Sequence, residues 1–160
     1  MSATSDMRFY ETKVPPVVWG LVAAIVVWGV DQAAVDSLLE ANFFRFVGLA
    51  LAVVGVVYAA VAVAGFASVG TTVNPHAIDR ASVLVTDGVF RYTRNPMYLG
   101  MLFVIVGWGL NRGGLIALIV GVGVFVATMT VAQIKPEERK MTELFGDDYV
   151  QWCRQVRRWL

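Results

Sequence analysis

Charge is what this sequence has least of. Only 16% of its 160 residues are Asp, Glu, Lys or Arg, and 58% are apolar. A water-soluble domain carries roughly 25% charged and about 45–50% apolar residues. The balance is that of an integral membrane protein, and the length allows one domain, 1–160. A net charge of +1 with no basic array excludes a nucleic-acid partner. One cysteine, Cys153, excludes an intramolecular disulfide. The single histidine, His76, lies far from it in the chain, so no metal-ligand cluster is expected. Motifs are missing too. There is no glycine-rich phosphate loop of standard spacing, no serine motif that would use His76 as a base, and no redox-cofactor attachment signature. Met1 to Lys13 is polar and does not read as a signal peptide. The chain does not end in a prenylation motif.

What is present is a set of apolar runs, and the fold expected from them is all-α. Membrane spans are read over residues 15–35, 43–69, 96–110 and 115–134, with C-terminal helices over 136–160. The first run is free of charge only from Val17 to Val30, short of the ~20 residues a span needs, so it is extended at its ends. Trp19 and Trp28 sit near those ends, where aromatic rings favour the interface. In the second, Gly48 with Ala52 and Ala60 with Ala64 place small residues four apart, which suits close helix approach. Asn111-Arg112-Gly113-Gly114 reads as a tight turn joining the last two spans in a hairpin. Beyond them, Pro136-Glu137-Glu138 reads as a helix start and Phe145-Gly146-Asp147-Asp148 as a break. A stripe of Tyr149, Trp152, Cys153, Val156, Trp159 and Leu160 follows, with Arg154, Arg157 and Arg158 off it. That stripe suits either the membrane surface or the protein's own loops.

Lysine and arginine set the expected topology. Arg45 and Arg112 fall on one side of the four spans. The other side holds Arg8, Lys13, Arg80, Arg91, Arg94, Lys135, Arg139, Lys140, Arg154, Arg157 and Arg158, the remainder of the 13. Both termini are therefore expected in the cytoplasm. Residues 70–97 and 135–160 share that face.

The stretch from Leu84 to Gly100 is where chemistry concentrates. Thr86-Asp87-Gly88 has turn character, and Asn95 ahead of Pro96 implies a helix starting at the proline. The free N–H groups of such a first turn suit an anion. The plainer reading is a membrane-surface loop with Arg91 and Arg94 snorkelling. Set beside Glu137 and Glu138, the stretch describes a polar pocket at the mouth of a helical bundle. S-adenosylmethionine suits such a place. Its amino group needs a carboxylate, its carboxylate needs N–H donors, and its adenine needs apolar or aromatic contact. Methyl transfer depends mainly on positioning and desolvation, so it needs few acid or base groups.

The run Leu84-Val85-Thr86-Asp87-Gly88-Val89-Phe90-Arg91-Tyr92-Thr93-Arg94-Asn95-Pro96-Met97-Tyr98-Leu99-Gly100 is followed by Glu137-Glu138, Phe145-Gly146, Tyr149 and Arg157-Arg158-Trp159. In that order it resembles the isoprenylcysteine carboxyl methyltransferase family, within a wider group that includes phospholipid methyltransferases. The resemblance covers about residues 70–160. It implies cofactor contacts from Val83, Leu84, Val85, Phe90, Asn95, Pro96, Met97, Tyr98 and Glu137. Phe90 stands where an aromatic ring lines the cofactor, and Arg94 precedes the Asn-Pro pair as an arginine does in the family. Arg94, Gln133 and Glu138 are placed at the transfer site, Glu138 as a second contact or a structural neighbour of Glu137. Asn95 replaces the histidine of the isoprenylcysteine branch and cannot titrate near neutrality. Gln133 replaces an arginine suited to a substrate carboxylate, and a neutral amide pairs poorly with one.

The function expected is methyl transfer from S-adenosylmethionine to a lipophilic or small acceptor reached from the membrane lipid, with a carboxylate, thiol or amine as nucleophile. Two other readings remain open. One is a non-catalytic membrane protein of the same fold that binds a lipid or a partner helix. The other is a reductase of similar architecture, for which the chain is short.

Overall fold

The computed structural model describes residues 14–33, 38, 42–68 and 83–160. The N-terminal arm and the loop carrying His76 and Arg80 lie outside the described residues, as do Asp36 and Glu40. Helix α1 runs Pro16–Ala33 and α2 runs Asn42–Ser68. A 3-10 turn, Gly88–Arg91, leads to α3, Pro96–Arg112. Helix α4, Leu115–Thr128, passes through a π turn, Met129–Ile134, directly into α5, Lys135–Gln155. Among the described residues there is no strand.

Helix ends follow from local chemistry. Pro96 opens α3, where its missing N–H costs nothing. Gly113, at φ 93°, closes it in the left-handed conformation that a glycine adopts without strain. Asn111 and Arg112 therefore belong to the helix, and the turn is shorter than the sequence suggests. The π turn sits directly ahead of Pro136. A proline inside a continuous helix lacks a donor and crowds the carbonyl four residues back. Widening the preceding turn relieves that, and Lys135 N–H bonds to the Thr130 carbonyl, five residues back. The helix start expected at Pro136 is thus a bulge within a long helix. The expected break is found at Gly146 (φ 54°, ψ −127°). The last helix ends at Gln155, so Trp159 and Leu160 lie beyond it in irregular chain.

Helix α3 is central. Helix α2 packs along one side of it, α1 and α4 along the other. Gly48 meets Gly107 and Gly55 meets Gly100, so α2 and α3 run antiparallel at very close approach. Ala52 and Ala59 fill the same seam. Ala60 and Ala64 are exposed, so the second small-residue pair read from the sequence is not part of it. One buried cluster joins Ala23, Val27, Tyr98, Ile105, Phe125 and Met129. A second joins Ala62 and Phe90 to Tyr149, Trp152 and Val156. The stripe on α5 therefore packs against the protein itself.

Pro16–Ala33, Asn42–Ala67 and the helix through Leu115–Gln155 are long and apolar enough to cross a membrane. In the last of these the apolar part ends at Ile134, and Lys135 begins a polar segment. Leu21, Ile25, Phe46, Leu49, Val56 and Ile119 face outward at 58% exposure or more. In water such faces would be untenable, and lipid covers them at no cost. The chain is a multi-pass membrane protein. At one end of the bundle Arg112 donates from Nε and Nη2 to Asp31 Oδ2 at 2.9 and 2.6 Å, clipping α1 to α3. The start of α3, the π turn, α5 and the C-terminal segment meet at the other.

Candidate functional site

Three side chains converge at that second end. Tyr98, on the first turn of α3, donates its hydroxyl to Glu137 Oε1 at 2.6 Å. Gln133, on the π turn, donates Nε2 to the same oxygen at 2.7 Å. Gln133 and Glu137 are four apart and share a helix face. Gln133 is fully buried, and among the described residues its Oε1 has no hydrogen-bond partner. An orphaned buried acceptor costs about 1–3 kcal/mol, so a donor brought to it is strongly favoured.

Glu137 lies outside the apolar part of its helix, yet burial raises its carboxyl from 4.5 to about 7. The bonds from Tyr98 and Gln133 and the charge of Lys140 pull it down; Glu138 pushes it up. The folded protein therefore prefers the protonated acid. Its contribution to stability is fully present below pH 4.5, is lost as pH rises through about 7, and is level above that. The full effect is roughly 3 kcal/mol at most. Glu137→Gln keeps the shape and both bonds. In detergent it should raise the unfolding temperature at pH 8 and leave it nearly unchanged at pH 4. Equal shifts at both values would contradict the burial of an ionisable group here.

A second set lies one residue on. Glu138 takes Arg158 Nε and Nη2 at 2.9 and 2.6 Å, and Arg94 Nη1 at 3.0 Å. Arg94 also donates to Cys153 Sγ at 2.7 Å. Its Nε is buried without a partner among the described residues. Arg91 by contrast is exposed and pairs with Asp87 at 2.7 Å. The two arginines that look alike in sequence do different work.

The C-terminal segment straps these groups together. Arg94 N–H donates to the Arg157 carbonyl at 2.9 Å. Thr93 Oγ1 and Asn95 Nδ2 donate to the Arg158 carbonyl at 3.2 and 2.9 Å. Trp159 Nε1 reaches Thr130 Oγ1 at 3.3 Å on the π turn. Arg158→Ala should cost about 1 kcal/mol, a paired but one-third exposed guanidinium being partly screened. Thermal unfolding checks it, and a neutral substitution would leave Arg94 as the sole support of Glu138.

The residues expected at a cofactor site are thus distributed unevenly. Tyr98, Gln133 and Glu137 meet. Arg94 and Glu138 meet each other, not that group. Asn95 is committed to the strap, and Pro96 is buried beneath it. Phe90 is 3% exposed and packs edge-on against Phe66 at 4.9 Å, inside the second cluster. Leu84 and Val85 flank that cluster, Met97 touches both clusters, and Val83 is exposed. Arg158, Cys153 and Thr130 were not read as site residues from the sequence. Only the Arg157-Arg158-Trp159 run hinted at the strap.

Residues 43–148 match the model of the phospholipid methyltransferase family. The chain belongs to that family. The phospholipid methyltransferase match takes in α2, which carries no readable motif, and stops before the strap. An uncharacterized protein from Haemophilus influenzae is 38% identical over 64 residues, which is 40% of this chain and all of that protein. The acceptor set at Glu137 fits the ammonium end of an amino-acid-like cofactor: a buried carboxylate and, on the side chain bonded to it, an amide oxygen without a partner among the described residues.

Proposed function

We propose that this chain is an S-adenosylmethionine-dependent methyltransferase with four membrane spans. The observation that carries the reading is the meeting of Tyr98, Gln133 and Glu137 where the apolar helix ends, in a chain of this family. Glu137, ionised, holds the cofactor's ammonium group, and the orphaned Gln133 Oε1 accepts a second N–H. Tyr98 orients the carboxylate. Bound cofactor supplies a methyl group on a cationic sulfur. Around it, the buried clusters exclude water, which strengthens the charge pairing. The acceptor is lipophilic or small and comes from the bilayer side. The absence of a cation at Gln133 favours an amine or thiol over a carboxylate.

Helix α3, at 17 residues, is the fourth span. Its length of about 25 Å lies at the lower limit for crossing, and it runs antiparallel to α2 through the glycine seam. The excess of lysine and arginine at the site's end supports a cytoplasmic setting for it. The non-catalytic alternative draws on Arg94, Asn95 and Glu138, all committed to structural contacts. Calorimetric titration of S-adenosylmethionine into detergent-purified protein separates the two. Saturable binding supports the enzyme; none, in a folded sample, supports a lipid- or helix-binding protein.

A further inference from the structure

The π turn is the least self-sufficient piece of the long helix. Its hydrogen-bonded ring is one residue wider than an α-helical turn, a rare form confined to short pieces. Here the ring closes from Lys135 N–H to the Thr130 carbonyl, and Gln133 lies inside it. Whatever holds Thr130 therefore bears on where Gln133 points. Two threonines stand at this part of the helix, and their hydroxyls differ. Thr128 Oγ1 turns back on its own helix and donates to the Val124 and Phe125 carbonyls at 2.7 and 3.1 Å. Thr130 Oγ1 instead accepts Trp159 Nε1 at 3.3 Å. The Trp159 ring also leans on Phe125, at 6.4 Å between centroids, and on the buried cluster that holds Tyr98 and Ile134.

Trp159 is itself fixed from behind. The two carbonyls ahead of it, those of Arg157 and Arg158, accept from Arg94 N–H, Thr93 Oγ1 and Asn95 Nδ2 at 2.9 to 3.2 Å. Those donors lie directly ahead of Pro96, where α3 begins. The strap thus reaches from the start of α3, which carries Tyr98, to the π turn, which carries Gln133. We propose that Trp159 is a positioning residue: its indole N–H, through Thr130, holds the π turn in the register that sets Gln133 Nε2 on Glu137 Oε1. It acts through Thr130 and is not itself a catalytic residue. What this does for cofactor affinity rests on the reading above; the placement of Gln133 does not.

The test uses the full chain in neutral detergent. Trp159→Phe keeps the ring and removes the N–H, Thr130→Val removes the acceptor, and the two are also combined. Trp108→Phe is the control, since it loses an indole bond of equal length, to the Ala24 carbonyl at 3.3 Å, between α3 and α1. Hydrogen exchange without cofactor reads the opening of residues 129–135. It should be roughly five-fold faster in either variant, the factor one neutral hydrogen bond supplies. The double variant should exchange no faster than either, and the control should match the wild type. Wild-type exchange in Trp159→Phe overturns the proposal. So does equal acceleration in Trp108→Phe, which would make the effect one of general loosening. Titration with S-adenosylmethionine then compares Trp159→Phe, Gln133→Met and their combination. Trp159→Phe should weaken binding several-fold by itself and not at all once Gln133 is gone. A merely structural tryptophan would weaken binding equally in both backgrounds, and that additive result overturns the route through Gln133. If the wild type does not bind, the cofactor reading above fails, and the exchange result alone decides the role of Trp159.

Discussion

Glu137→Ala should weaken S-adenosylmethionine binding by roughly 100-fold or more, because removing one partner of a desolvated charge pair costs about 3–5 kcal/mol. Glu137 is the acceptor on which Tyr98 and Gln133 both spend a donor. Alanine strands those donors as well. Glu137→Gln refines the test, since it preserves the two bonds and removes only the charge. It should lose nearly as much affinity while gaining stability at pH 8. Opposite movement of binding and stability separates a ligand-binding carboxylate from a structural one. Titration calorimetry with parallel thermal unfolding reads both, and wild-type affinity in Glu137→Gln would refute the assignment. Wild-type affinity should also fall below pH 7, by about tenfold per pH unit, as the carboxyl takes up its proton. The glutamine variant should lack that slope.

Much of this arrangement was legible because it depends on composition and single residues. Apolar runs mark α1, α2 and α4, since lipid demands them. Gly113 and Gly146 mark the end of α3 and the kink in α5, since both take positive φ. The family resemblance implies Glu137 and Tyr98 as separate cofactor contacts, and the fold joins them by one hydrogen bond. What the sequence does not display has a common cause in long-range packing. Phe90 follows a turn and looks available, yet α2 and α5 close over it with Ala62, Phe66 and Trp152. Arg94 and Arg91 are three residues apart and chemically identical, and only the strap and α5 decide which turns inward. The π turn left no mark except Pro136, whose crowding is relieved upstream, where Gln133 sits. That widening belongs to the geometry that sets Gln133 over Glu137. The strap itself is irregular chain without periodicity, and three of its hydrogen bonds run through backbone carbonyls that no side-chain pattern reports.

The glycine seam between α2 and α3 should be as sensitive as the carboxylate. A Cβ at Gly100 would lie 2.5 Å from the Gly55 carbonyl oxygen and 2.9 Å from both the Ala59 Cβ and N. At Gly55 it would lie 2.5 Å from the Gly100 oxygen and 2.9 Å from the Phe103 Cβ. Most of these are backbone atoms, so no rotamer change relieves the clash and the helices must separate. Separation loses dispersion contacts and Cα–H···O contacts along the whole seam. Gly100→Ala should therefore cost about 3 kcal/mol, at the upper end of overpacking, and Gly55→Leu should prevent assembly of α3 on α2. Gly100 also follows Tyr98 by two residues. Displacing α3 draws the Tyr98 hydroxyl from Glu137, so cofactor affinity should fall together with stability. Gly123 supplies the control, because a Cβ there meets nothing within 4 Å. Gly123→Ala should lose neither stability nor binding. If Gly100→Ala unfolds in detergent at the same temperature as Gly123→Ala, α3 is not held by this seam, and the placement of Tyr98 must rest on α1 and α4 instead.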